Sequence, residues 1–156
     1  MSLRGRLNAP DGSFGVLYTA RELAGAFAEA FLRQPGSTLI DTGFLKSKAY
    51  VELEVVSPLV LIKLAGPGLA VLGATAEVVH GGLPYDVPQA WSKALSNHPA
   101  AADGIAYYAR HDDEALCYAL FSRSVAKIAE ARREKDLDQD WFWRVAMRYR
   151  VGLSPH

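Results

Sequence analysis

Three residues near the start of the chain, Arg6, Tyr18 and Glu29, carry groups that can act together on one ligand. Arg6 lies in Gly5-Arg6-Leu7-Asn8-Ala9-Pro10, Tyr18 closes the apolar run Val16-Leu17-Tyr18, and Glu29 follows eleven positions later. Arginine clamps phosphate through a planar fork of donors, tyrosine offers a flat face and a hydroxyl, and glutamate offers negative charge to a developing cation. The combination suits a flat, positively charged, phosphate-bearing ligand such as NAD. Gly5, Asn8 and Pro10 define a turn that can hold the guanidinium still.

These groups need elements to carry them. Val16-Leu17-Tyr18 reads as a short strand entered from the turn Pro10-Asp11-Gly12-Ser13, which puts Tyr18 on a pocket wall beside a helix start. Residues 20–33 read as a helix closed by Gln34-Pro35-Gly36, with Leu23, Ala26, Phe27, Ala30 and Phe31 as its apolar stripe and Glu29 off that stripe. Gly25, one turn before Glu29, predicts close approach by another group, because glycine otherwise weakens a helix.

Further along, residues 50–55 alternate as a half-buried strand and 59–64 form a more buried one, with Ser57-Pro58 as the turn between them. Residues 68–76 read as a short helix or loop, and 87–97 as a helix carrying Trp91. Strands at 104–110 and 116–121 form a hairpin across His111-Asp112-Asp113-Glu114. The charged run 129–140 reads as a solvated helix or loop, and 141–149 as a helix with a bulky aromatic start. Mixed strands and helices without strict alternation predict an α+β fold: a single domain over residues 1–156, with a mixed, mainly antiparallel sheet and flanking helices.

Composition narrows the classes of function. Seventeen basic and seventeen acidic residues cancel, so no global field collects nucleic acid or acidic membranes, and any anion must be held by a local cluster. The single cysteine, Cys117, has no internal disulfide partner, and His80, His98, His111 and His156 are too scattered for a zinc site, so no metal is expected. The longest uncharged stretch, 64–76, is broken by glycine and proline and is too short to cross a bilayer; the N-terminus shows no signal pattern. A cytoplasmic protein is expected.

The same residues resemble the RES domain family, named for an Arg, a Glu and a Ser and including bacterial NAD-degrading toxins. Its pattern of Gly-Arg-aromatic-Asn-x-Pro, a strand ending in Tyr and a helix carrying Glu resembles Gly5-Arg6-Leu7-Asn8-Ala9-Pro10, Tyr18 and Glu29 here. Asp103-Gly104-Ile105-Ala106-Tyr107 is similar to the family's DGI-x-Y strand, and the resemblance runs from Arg6 to about Arg123. Two departures stand out. Ala109 occupies the place of the family's serine, where Arg110 and backbone N–H groups remain to bind a ligand oxygen, and only Met1 to Arg4 precede the Gly-Arg motif where the family carries an earlier arginine, so either Arg4 stands in for it or the N-terminus is truncated or misassigned.

The resemblance implies an architecture like that of ADP-ribosyltransferases and cleavage of the nicotinamide–ribose bond of NAD, by hydrolysis or by phosphorolysis with inorganic phosphate. NAD would be substrate and no cofactor would be needed. Arg6 would orient the dinucleotide, Tyr18 would stack on nicotinamide, Glu29 would support the ribosyl cation, and Ala109 and Arg110 would lie against the substrate. It further implies a toxin neutralised by a helix-turn-helix antitoxin, and leaves homodimerisation open. Two alternatives remain: ADP-ribosyl transfer to a macromolecule, and a catalytically silent RES-like binding module.

Each residue also has an ordinary explanation. Arg6 can be a solvated terminal arginine, Tyr18 a strand residue with its hydroxyl at the rim, and Glu29 the partner of Arg33 one helical turn on. The resemblance decides for the ligand roles. Gln89 and Trp91 read as helix packing, Trp141, Phe142 and Trp143 as the anchor of the C-terminal helix, and His111 as a solvated loop histidine.

Overall fold

The fold is taken from a computed structural model that describes residues 5–32, 36 and 38–154. In chain order the elements are β1 (Val16–Ala20), α1 (Leu23–Phe31), β2 (Leu39–Ile40), α2 (Thr42–Lys46), β3 (Tyr50–Val55), β4 (Leu61–Lys63) and α3 (Pro67–Val71). There follow α4 (Glu77–His80), α5 (Asp86–Ser96), β5 (Gly104–Ala109), β6 (Asp112–Phe121), β7 (Ile128–Glu134), α6 (Asp140–Arg148) and β8 (Gly152–Leu153). The main sheet has the order β1-β6-β5-β4, antiparallel except for the parallel pairing of β4 with β5. Two small sheets, parallel β2-β8 and antiparallel β3-β7, complete an α+β fold of the expected class.

The apolar side chains gather in two clusters that meet at α1. One fills the space over the main sheet with Leu7, Leu64, Val79, Ile105, Cys117 and Phe121; the other joins Phe27, Ile40, Leu45, Phe142 and Val151 under α6. Burying each large apolar side chain contributes ~1.5–3 kcal/mol. Because α1 is sandwiched, its buried residues are Gly25, Phe27 and Ala28, with Ala28 facing the sheet cluster and Phe27 the α6 cluster. The expected single stripe is thus two faces. The helix also starts later than predicted, since Ala20 ends β1 opposite Cys117; the expected close at Gln34-Pro35-Gly36 falls largely outside the described residues.

Gly25 has the reason anticipated for it. A Cβ there would sit 3.0 Å from the Ala20 Cβ and 3.4 Å from the Cys117 Sγ, a tight contact that glycine relieves where α1 lies close to the sheet. That closeness sets Glu29, one turn on, over the end of the β5-β6 hairpin.

The run expected to be a solvated helix or loop is instead a strand. β7 is largely exposed along its length and pairs with β3, with Val55 opposite Ile128 and Glu52 opposite Arg132; a register shift falls at Glu52/Leu53. Its conformation comes from a partner more than seventy residues away in the chain, from Val55 to Ile128, and not from any alternation of its own. β3 and β4 fall as expected along the chain but join different sheets.

The C-terminal helix is anchored as anticipated. Phe142 is buried, and its ring lies 5.4 Å from that of Phe27 and 5.2 Å from that of Phe31. Just beyond α6, Tyr149 stacks on Phe27 and donates its hydroxyl to Asp112, the first residue of β6, while Arg148 reaches the same carboxylate at 3.4 Å. The hairpin is therefore fastened to the second cluster.

Candidate active site

The Gly5–Pro10 stretch contributes no strand or helix, yet it is tightly held. Asn8 N–H donates to the Gly5 carbonyl at 3.2 Å, closing the turn, and Leu7 and Ala9 point into the core with 1% exposure each. Three side chains at i, i+3 and i+4 on α5 grip it from outside. Gln89 Nε2 donates to the Gly5 carbonyl at 3.1 Å, the buried Ser92 hydroxyl to the Leu7 carbonyl at 2.6 Å, and Lys93 pairs with Asp11 at 2.7 Å. Gln89 thus has a specific role beyond helix packing, whereas Trp91 packs against the core as expected.

Tyr18 ties the other side of the loop. Its hydroxyl donates to Asn8 Oδ1 at 2.9 Å and accepts from Leu7 N–H at 2.8 Å. A Cβ on Gly5 would lie 2.3 Å from Asn8 Oδ1 and 2.7 Å from the Tyr18 hydroxyl, so the glycine of the motif makes room for this bond. The residue as a whole remains 38% exposed and lines the cleft. Burial outweighs the Leu7 hydrogen bond and the Arg6 charge and pushes its pKa up to about 12, so the hydroxyl stays protonated.

Arg6 is fixed by the end of α4. Its Nη1 donates to the Val79 carbonyl at 2.6 Å and its Nε to the Gly81 carbonyl at 3.2 Å, while the guanidinium carbon lies 5.5 Å from the centre of the Tyr85 ring. Two of the five N–H donors are used in holding the group, and the rest of the fork can take an anion. This is a positioned guanidinium, unlike a solvated terminal arginine.

Glu29 faces Arg6 and Tyr18 across a cleft of about 220 Å³ that is also lined by Tyr85, Tyr107, Arg110 and His111. The Arg110 amide lies 3.4 Å from Glu29 Oε1 and links α1 to the hairpin turn. Burial raises the Tyr107 pKa well above the ordinary tyrosine range, and the Glu29 charge adds to the shift. Arg33, the alternative partner considered for Glu29, and Arg4, the stand-in for an earlier arginine, lie outside the described residues.

Arg6, Tyr18, Glu29 and Arg110 are thus brought to one place; Ala109 is not. It has no exposed surface, packs in the sheet cluster and does not line the cleft, so a direct contact with substrate is corrected to a core role. The hairpin explains this. The register shifts between Tyr108 and Ala109, which pairs with Asp112, so the connection is only Arg110-His111 and these two residues turn toward the cleft. His111 is accordingly a cleft residue and not the solvated loop histidine expected; burial, then the Arg110 charge, hold its pKa below the ordinary histidine value. Tyr85 and Tyr107 were also missed as cleft residues. Tyr107 had a signal, as the closing residue of Asp103-Gly104-Ile105-Ala106-Tyr107, whereas Tyr85 had none.

The acid of that motif is structural. Asp103 is buried, accepts from Val60 N–H at 2.7 Å and pairs with Lys127 at 2.8 Å. Burial alone would raise its pKa, but the Lys127 and Val60 hydrogen bonds outweigh it and hold the carboxyl below its usual range.

Fold and cleft together define an α+β domain whose N-terminal arginine, strand tyrosine and helix glutamate face one small polar pocket. The RES domain family model matches residues 3–144, and the chain belongs to this family. The match extends past residue 123 to take in β7 and the start of α6. RES domains are associated with NAD-related enzymatic function in general. Comparison with curated proteins gave no match, and comparison with solved structures gave none. Among the described residues no helix is long and apolar enough to cross a membrane, and no group of three or more His, Cys, Asp or Glu side chains is placed to hold a metal ion.

Proposed function

We propose that this protein degrades NAD by cleaving the bond between nicotinamide and ribose, with water or inorganic phosphate as acceptor. The observation that carries the reading is the convergence of Arg6, Tyr18 and Glu29 on one cleft, each held by a different element. Departure of nicotinamide leaves positive charge on the ribose, and a carboxylate beside the sugar lowers the energy of that state. Glu29 fills this role. The exposed face of Tyr18 suits a flat cationic ring, and the Arg6 fork suits the pyrophosphate, with Arg110 at the rim as a second cation. At about 220 Å³ the cleft is smaller than the ~300–1,000 Å³ that holds a whole ligand. It takes the nicotinamide riboside end, and the adenosine end lies across the rim.

Family membership supports a toxin of a toxin–antitoxin pair acting in the cytoplasm, with a helix-turn-helix protein as the neutralising partner. Nicotinamide release from NAD, with and without phosphate, tests the chemistry. The Glu29→Ala variant should fold normally and release nicotinamide at least ~100-fold more slowly. Equal release by the variant and the intact chain would overturn the assignment of Glu29. Transfer of labelled ADP-ribose to protein would redirect the reading to a transferase.

A further inference from the structure

Tyr107 is the one buried cleft group whose polar atom has no evident task within the fold. The residue is only 2% exposed, at the base of the cleft. Its hydroxyl makes no hydrogen bond with any described residue. The nearby tyrosines differ, since Tyr18 is bonded to Asn8 and Leu7, and Tyr149 to Asp112. Among the described residues, the only partnerless side-chain oxygen or nitrogen wholly closed off from solvent is Thr42 Oγ1, so the Tyr107 oxygen keeps an opening onto the cleft. The charged and phenolic groups acting on it include Glu29, Tyr18 and Arg6, all of which line that cleft.

A hydroxyl that opens onto the cleft and bonds to no described residue is available to a ligand, and phenylalanine would fill the same space without offering that group. With its proton held on by burial and by the charge of Glu29, the phenol keeps an O–H that can donate to a ligand oxygen. A carboxylate is an acceptor, so Tyr107 and Glu29 present a donor and an acceptor on one cleft. Two adjacent hydroxyls of a sugar ring answer both.

We propose that the Tyr107 hydroxyl donates to one ribose hydroxyl of the ligand while the Glu29 carboxylate accepts from its neighbour, making this end of the cleft a recognition site for a sugar vicinal diol. The identity of the sugar as the nicotinamide ribose rests on the NAD reading above. Tyr107 is then a ligand-contacting residue that the family's Arg, Glu and Ser do not include.

The test compares Tyr107→Phe with the intact protein, using ADP-ribose, which carries the diol without nicotinamide, and nicotinamide alone. The variant should melt at the same temperature or higher without ligand, bind ADP-ribose about 3- to 10-fold more weakly, and bind nicotinamide unchanged. A lower melting temperature without ligand would show the hydroxyl engaged within the protein and overturn the proposal. So would unchanged ADP-ribose affinity, a loss confined to nicotinamide, or an intact protein that binds no ADP-ribose. The two readings separate cleanly. If the intact protein binds ADP-ribose through Tyr107 but releases no nicotinamide from NAD, the NAD-cleavage reading fails and the diol site stands; if it cleaves NAD and Tyr107→Phe does so with unaltered KM, the reverse holds.

Discussion

The loop at residues 5–11 and the β3-β7 ribbon hold their shape in opposite ways. The loop has no regular structure, yet its Leu7 and Ala9 are in the core and its Gly5 and Leu7 carbonyls are taken by side chains of α5. The ribbon is paired from Tyr50–Glu134 to Val55–Ile128 with one register shift, yet β7 is mostly exposed. Regular structure and rigidity are therefore separate properties here. The loop carries Arg6 and holds its guanidinium against the end of α4, at the cleft. The ribbon carries none of the residues that line the cleft.

Ser92→Ala should break the comparison hardest, because it leaves the buried Leu7 carbonyl without its donor. We expect a loss of about 1–3 kcal/mol in chemical denaturation and a parallel rise in KM for NAD as Arg6 loses its seat. If stability falls and KM does not, the loop is not what positions Arg6. The ribbon should respond weakly. Glu52→Lys, which sets a like charge opposite Arg132, should cost about 0.2–1 kcal/mol and leave nicotinamide release unchanged.

The smallest effect is expected at His111, which keeps part of its contact with solvent. Its pKa is lowered in the folded protein, so the unfolded chain takes up the proton first as the pH falls. The stability that comes from the neutral imidazole is present above about pH 6.5 and is lost as the pH falls from there through the folded value. Melting temperatures measured from pH 8 to pH 5 should therefore fall more steeply for the intact protein than for His111→Gln. Identical slopes would place the imidazole outside the cleft's electrostatics.

Much of the site was readable because its parts are local and ordered along the chain. Gly5, Asn8, Tyr18 and Glu29 each announce a turn, a strand end or a helix face, and the helices expected at 87–97 and 141–149 fall within a residue of α5 and α6. What escaped was decided by distant partners. β7 is a strand only because β3 lies beside it, and α1 shows two faces only because α6 covers the second. The acidic run Asp112-Asp113-Glu114 looked like a turn, but Tyr149 and Arg148 engage Asp112 and leave a two-residue connection. That tightening moved His111 into the cleft and could not be seen in the hairpin's own residues.

The atoms that seat Arg6 and its loop are, in large part, main-chain oxygens: those of Gly5 and Leu7 accept from α5, and those of Val79 and Gly81 accept from the guanidinium. An acceptor of this kind is the same whatever side chain its residue bears. The scaffold around the arginine can thus drift in side-chain identity at Leu7 or Val79, so long as volume is kept, while the coordinates of the charge stay put. The burden of identity falls on the donors, Gln89, Ser92 and Arg6 itself, so a RES domain could change much of its lettering here and still offer a phosphate the same grip.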